Sequence, residues 1–302
     1  MKQQRSWVES LLCAVSHLPL WWLYRLSDLI FPIAYYLVRY RRHVVQENLR
    51  NSFPERTEKE RRQIEFRFYR FFCDYAVETI KLLTMSKEEM KRRMKFTGIA
   101  EMDAELDRQP FCFLMLGHYG NWEWISSVPL WSKRHSGQLY MPLHNKMMDG
   151  IFYRMRTRMG AENISKYEAY RRILTLRKEK IPTHIGFISD QAPSAMNIHD
   201  WMDFLHQDTP IFTGGERIGK HVGAAAYFVH VERPRRGYYV CHLERLTSDM
   251  KEYKDFELSE LFMRRLERQI RECPHLWLWT HRRWKHNREE VAAEQAAHHA
   301  TK

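Results

Sequence analysis

The chain has 302 residues, with 49 Lys and Arg against 37 Asp and Glu for a net charge of +12, and it is 44% hydrophobic and 14% aromatic. Its 12 Gly and 11 Pro exclude collagen-like and low-complexity chains, and its aromatic and charged content excludes wholesale disorder. A mean hydropathy of −0.60 excludes a polytopic membrane protein while leaving room for one anchor. A pI near 9.5 favours an acidic partner, whether nucleic acid, an anionic membrane surface or an acidic carrier protein. The five cysteines are widely spaced and form no CxxC pair, so neither a disulfide framework nor a zinc site is expected, and the compartment reads as reducing.

Residues 7–40 are rich in Trp, Leu, Tyr and Phe and lead into Arg39, Arg41 and Arg42. His17, Pro19, Arg25, Asp28 and Pro32 divide the stretch, so no window supplies the ~18 uncharged apolar residues of a spanning helix. No small-residue cleavage site marks a signal peptide either. Trp7, Trp21, Trp22, Tyr35 and Tyr36 beside arginines predict a helix pair that seeks the membrane interface. An amphipathic arm packed on the protein's own core is the alternative.

From Glu58 to Leu83, Ile64, Phe68, Phe71, Tyr75, Thr79 and Leu82 recur every three or four residues, which predicts a long core-facing helix. Phe111 to Leu116 is an apolar run between Pro110 and Gly117 and reads as a buried strand, with a helix from about Asn121. Further strands are expected at 138–141, 183–189, 225–231 and 238–243. Helices are expected near 147–159, 167–179, 214–223 and 256–273. This alternation predicts an α/β fold with a mostly parallel central sheet flanked by helices. The expected organisation is a membrane-associated helical segment over 1–45, one catalytic domain over 46–288 and a polar, frayed tail over 289–302.

The chemistry concentrates after the first strand. Gly117-His118-Tyr119-Gly120-Asn121-Trp122-Glu123 places a histidine and a carboxylate five positions apart. On a continuous helix they would lie about 140° apart and never meet. If His118 ends the strand and a helix begins near Asn121, the turn through Gly120 folds Glu123 back onto the imidazole, giving a carboxylate-oriented general base. The bland alternative is a helix cap and a solvated glutamate. Ser189-Asp190-Gln191 also follows an apolar strand, which predicts both motifs on one rim of the sheet, although Asp190 alone could be a turn former. Arg154, Arg156 and Arg158 alternate along one stretch and could meet a phosphate or an oxyanion, or simply face solvent. Trp277 to Lys285 interleaves tryptophans with His281, Arg282, Arg283 and Lys285, suited to headgroups or nucleic acid, or to core packing.

In this order the elements resemble the bacterial lipid A biosynthesis acyltransferases, the late lauroyl/myristoyl type within the lysophospholipid acyltransferase-like enzymes. The resemblance runs from Asn48-Leu49 and Phe53-Pro54-Glu55 through the His118 to Glu123 block and Asp190-Gln191 to Trp279-Thr280-His281-Arg282-Arg283-Trp284-Lys285. It implies transfer of a fatty acyl chain from an acyl carrier protein thioester to a hydroxyl of a lipid acceptor, typically a lipid A precursor, at the cytoplasmic face of the inner membrane. It implies His118 as base with Glu123 as its partner, Arg156 or Arg158 on the charged intermediate or lipid phosphates, and Asn121, Asp190, Gln191 and Arg283 in support. No metal or organic cofactor and no nucleic acid partner is implied. Met141-Pro142, where the family carries Arg-Pro, and Trp201 to Leu205 depart from the family pattern at positions suited to the acceptor. Another acceptor, such as an aminolipid, glycolipid or glycerophospholipid, therefore stays open, as do a CoA donor and, in another class, a non-catalytic basic binding protein.

Overall fold

The computed structural model describes residues 7–300. The chain begins with helices α1 (Trp7–His17) and α2 (Leu20–Pro32), which runs into a π-helical turn over Ile33–Val38, then α3 (Arg42–Ser52), α4 (Glu58–Lys81) and α5 (Lys87–Arg93). An α/β region follows: β1 (Met94–Thr97), α6 (Ile99–Glu105), β2 (Phe111–Leu116), α7 (Trp122–Ile125), β3 (His135–Tyr140), α8 (Lys146–Thr157), β4 (Glu162–Ser165), α9 (Ala169–Lys178) and β5 (Thr183–Ile188). The chain closes with the hairpin β6 (Trp201–Phe204) and β7 (Gln207–Pro210), α10 (Gly214–Val222), β8 (Ala224–Arg235), β9 (Tyr238–Thr247), α11 (Glu257–Glu272) and α12 (Arg288–Ala300).

Seven strands form one sheet in the order β1-β9-β8-β2-β5-β3-β4, with every neighbour pair parallel except β8 with β9. All six side chains of β2 are buried, as a central strand covered on both faces requires. On one face, α10 comes so close that a Cβ at Gly215 would touch Phe187 at 3.2 Å and one at Gly219 would touch Phe113 at 3.3 Å. The other face carries α6 near Cys112 and, towards the strand ends, an open cavity.

α4 is the helix that the period predicts, and it starts at a capping box in which Thr57 and Glu60 exchange hydrogen bonds. The arm α1–α2 packs along it. Leu20, Leu23 and Ser27 are buried there, Ser27 Oγ donates to Asp74 Oδ1 at 2.8 Å, and Lys81 Nζ donates to the carbonyls of Ser16 and Leu18 at 3.0 Å. Among the described residues no helix is long and apolar enough to cross a membrane.

Three features differ from the sequence expectation. Strands β1 and β4 have four residues each, too short to carry a period of their own. The β6–β7 hairpin turns through Leu205 and His206, both at positive φ, with none of the Gly or Asn that announces such a turn. The C-terminal stretch is helix α12 rather than a frayed tail up to Ala300: Val291 is buried against Ala195 and Ile198, and Gln295 Nε2 donates to both of their carbonyls. Residues 301–302 of the expected tail and 1–6 of the expected N-terminal segment lie outside the described residues.

Candidate active site

β2 and β5 are adjacent parallel strands, so the turns that leave their C-terminal ends lie side by side. His118 leaves the first and Asp190 the second. The imidazole Nδ1 of His118 lies 2.7 Å from Asp190 Oδ1, its backbone N–H donates to Asp190 Oδ2 at 2.8 Å, and Trp277 Nε1 donates to the same Oδ2 at 2.8 Å. Burial alone would raise the Asp190 carboxyl, but the facing imidazole charge and these three hydrogen bonds outweigh it and hold it below the ordinary aspartate value. An ionised Asp190 can only accept from Nδ1–H, so in the neutral ring the lone pair is on Nε2. Gln191 Nε2 lies 3.3 Å from that nitrogen, consistent with an amide donating to it.

Glu123 does not orient His118. Among the described residues it makes no hydrogen bond or ion pair with the imidazole; it accepts instead from Arg156 Nε at 2.7 Å and Arg156 Nη2 at 2.6 Å, a bidentate pair. Burial opposes the Arg156 cation, but the hydrogen bonds and charge of Glu123 prevail and raise its pKa. The expected fold-back fails because α7 is a single turn whose cap, Asn121 Oδ1, accepts from the Trp124 N–H; Glu123 sits within that turn and finds a cation on α8. Its pairing is decided by a helix that begins more than twenty positions later in the chain.

His118, Glu123, Arg156 and Gln191 line one cavity of about 650 Å³ whose walls are otherwise mostly apolar, including Leu114, Leu116, Ile125 and Ile188. Trp122 lines it too, its ring edge-on to the imidazole at 5.2 Å and stacked on Tyr75 at 4.1 Å. The other expected residues sit around this centre. Asn121 Nδ2 donates to Glu78 Oε2 at 2.8 Å, which ties the turn to α4. Arg158 turns to the Met85 carbonyl at 3.1 Å and does not line the cavity, and Arg154 pairs with Glu9 of α1 at 2.6 Å. Arg283 is buried, donates through Nη2 to the Pro210 carbonyl at 2.6 Å, and has no partner for Nε or Nη1 among the described residues. Burial pushes its pKa down to about 10, against the pull of the Asp190 charge.

The C-terminal aromatic segment builds the site from below. Leu278 N–H donates to the His118 carbonyl at 3.1 Å and Gly120 N–H to that of Leu276 at 3.0 Å, so this segment braces the His118 turn from both sides. Asn48 Nδ2 holds the segment through the carbonyls of Trp279 at 2.9 Å and His281 at 3.0 Å. Gly120 has φ 59°, and a Cβ there would lie 2.7 Å from Val231, so only glycine makes this turn.

Sequence reasoning missed two contributors. Trp277 stands in the aromatic–basic motif, but only the fold brings its indole to Asp190. Glu78 is wholly buried and accepts from Asn121, Tyr239 and Tyr24 at 2.8 Å each. Burial raises its pKa, partly offset by the Arg233 charge and these hydrogen bonds. A signal existed for it, because a glutamate three residues after Tyr75 and four before Leu82 falls on the apolar stripe of α4.

The sequence model of the family described as bacterial lipid A biosynthesis acyltransferases matches residues 3–286, and the chain belongs to that family. It is therefore an acyltransferase of lipid A biosynthesis that acts on a lipid acceptor, not a non-catalytic basic binding protein. No curated protein matches it.

Proposed function

We propose that the chain moves a fatty acyl group from an acyl carrier protein thioester to a hydroxyl of a lipid A precursor at the cytoplasmic face of the inner membrane, with His118 as general base. The observation that carries this reading is the His118–Asp190 pair, with His118 among the residues that line a mostly apolar cavity. The acceptor hydroxyl gives its proton to Nε2 as its oxygen attacks the thioester carbonyl, and Asp190 stabilises the imidazolium that forms. The tetrahedral intermediate collapses to the ester, and the departing thiolate takes the proton back from the imidazolium. Arg156, fixed by Glu123, supplies a cation near the oxyanion or the acceptor phosphates. In this reading Glu123 acts through Arg156, and Asp190 takes the orienting role.

The reading places the N-terminal arm in the membrane interface. One side of α1 and α2 is sealed on α4, while Trp7, Trp21, Leu29, Leu37 and Val38 remain more than half exposed. Apolar side chains with Arg25, Arg39 and Arg41 nearby suit the headgroup boundary. Met141, Leu143, Tyr167 and Phe212 are exposed around the cavity, and the Glu9–Arg154 pair joins α1 to α8 beside it, so a lipid acceptor could enter from the bilayer surface.

The test is mass spectrometry of lipid A from cells lacking the gene and complemented with wild type or His118→Ala, alongside transfer by the purified proteins from carrier-protein and CoA thioesters. A lipid A species lacking one acyl chain, restored by wild type alone, supports the proposal. An unchanged lipid A with a loss of acyl groups elsewhere moves the acceptor, and a folded His118→Ala enzyme at full rate overturns the mechanism.

A further inference from the structure

Gly186 stands in the middle of β5, a strand paired on both sides, where a glycine weakens the sheet and needs a reason. Its φ is not positive, so no unusual backbone requires it. Crowding does not require it either. A Cβ there would meet Gln138 Cβ at 3.8 Å and Leu116 Cδ2 at 3.9 Å, ordinary contacts, whereas one at Gly137 on the neighbouring strand would lie 2.9 Å from Ile164. What Gly186 faces is the cavity. The register aligns Leu114, Gly186 and Gln138 across the sheet, and all three line it. One level towards the strand ends lie Leu116 and Ile188, beside His118; one level deeper Ser136 still lines the cavity, while Cys112 and His184, aligned with it, are sealed. The passage therefore runs from the imidazole down the sheet face, over the bare backbone of Gly186, to a floor at Ser136 and Val128. Leu116 and Cys112 are four positions apart, about 13 Å along the sheet.

We infer that Gly186 sets the length of the acyl chain this enzyme accepts: the tail of a saturated fatty acyl group lies across it, and the missing side chain keeps the lower half of the passage open. The inference rests on the acyl-transfer reading above. It makes Gly186 a specificity-determining residue with no part in proton transfer, and it predicts that any side chain there shortens the passage in proportion to its size.

The experiment compares wild type with Gly186→Ala and Gly186→Leu, each checked for folding by circular dichroism, using thioesters of eight- to eighteen-carbon saturated chains. Thermal shifts with the corresponding free fatty acids read the pocket independently of transfer. The Leu side chain is expected to move both optima to chains shorter by two to four carbons, and kcat/KM for the original chain should fall about fourfold for each methylene displaced. Ala is expected to move them by one step or less and serves as the reading should the Leu variant not fold. Unchanged optima in folded Gly186→Leu overturn the assignment, as does, where Gly186→Ala alone folds, an undiminished preference of that variant for the original chain over one two carbons shorter. So does a wild-type protein stabilised by no chain of any length. If wild type transfers no acyl group while the fatty-acid optimum still shortens with the substitution, the assignment of Gly186 stands and the acyl-transfer reading falls.

Discussion

Asp190 holds His118 twice, one carboxylate oxygen on the ring Nδ1 at 2.7 Å and the other on the backbone N–H of the same residue at 2.8 Å. A single side chain thus fixes where the strand ends and how its last functional ring is turned. Asparagine in its place has one carbonyl oxygen for the two donors, and its amide would face one of them. Asp190→Asn is expected to lower kcat by about 10²–10⁴ with little change in KM, because the acidic orienter is lost while the cavity is unchanged. Steady-state kinetics on the purified variant read this, and a near wild-type kcat would remove Asp190 from the base.

The Glu123–Arg156 pair makes a different forecast. Removing one partner leaves a largely buried charge without its counterion, so Glu123→Ala is expected to cost about 2–4 kcal/mol of stability. Arg156→Met in the same chain should recover part of that loss. Chemical denaturation of both singles and the double variant forms the cycle, and strictly additive losses would show that the two residues do not act as a pair.

Glu78 links the arm, α4 and the turn after His118 through Tyr24, Asn121 and Tyr239. Glu78→Ala strands three buried donors and is expected to lose about 3–5 kcal/mol. Glu78→Gln keeps an acceptor and the size, so it should lose less stability. If Asn121 needs this anchor to hold the turn, Glu78→Gln lowers kcat more than it lowers the unfolding free energy; equal proportional effects would make Glu78 purely structural.

His184 lies sealed under the cavity floor with neither ring nitrogen partnered among the described residues, and burial pushes its pKa down to about 4. The unfolded chain titrates this histidine near 6.5, so between pH 6.5 and about 4 the unfolded state binds the extra proton and stability falls as the pH drops. A shift of this size corresponds to roughly 3 kcal/mol over that window. His184→Leu is expected to remove this part of the slope and to be the more stable protein at pH 5. Identical acid-unfolding curves for the two would contradict it.

In the N-terminal arm, Trp21→Glu with Leu29→Glu places charges on the exposed apolar side and leaves the buried Leu20 and Leu23 in place. Binding to vesicles of anionic and zwitterionic lipid, measured by sedimentation, is expected to fall at least tenfold while thermal stability is kept. Retained binding would show that this surface does not meet the bilayer.

Much of the fold is written into local pattern. The run Phe111 to Leu116 reads as a buried strand, the stripe from Ile64 to Leu82 reads as a helix against a core, and the alternation of both predicts a mostly parallel sheet, all of which the structure shows. Short motifs beside apolar runs also single out candidate polar groups: His118, Glu123, Asp190 and an arginine at 156 or 158. The sequence by itself did not determine their partners. Hydrogen bonds reach about 3 Å and chain separation is no guide to them, so the carboxylate nearest His118 in sequence went to an arginine and the one 72 positions away took the imidazole. The same holds for Trp277 on Asp190 and for Gly186, an unremarkable strand glycine until three strands are set in register and a cavity opens above it. Element type follows from periodicity along the chain; pairing and cavity shape follow from which strands and helices pack side by side, contacts between segments far apart in the chain that no local pattern encodes.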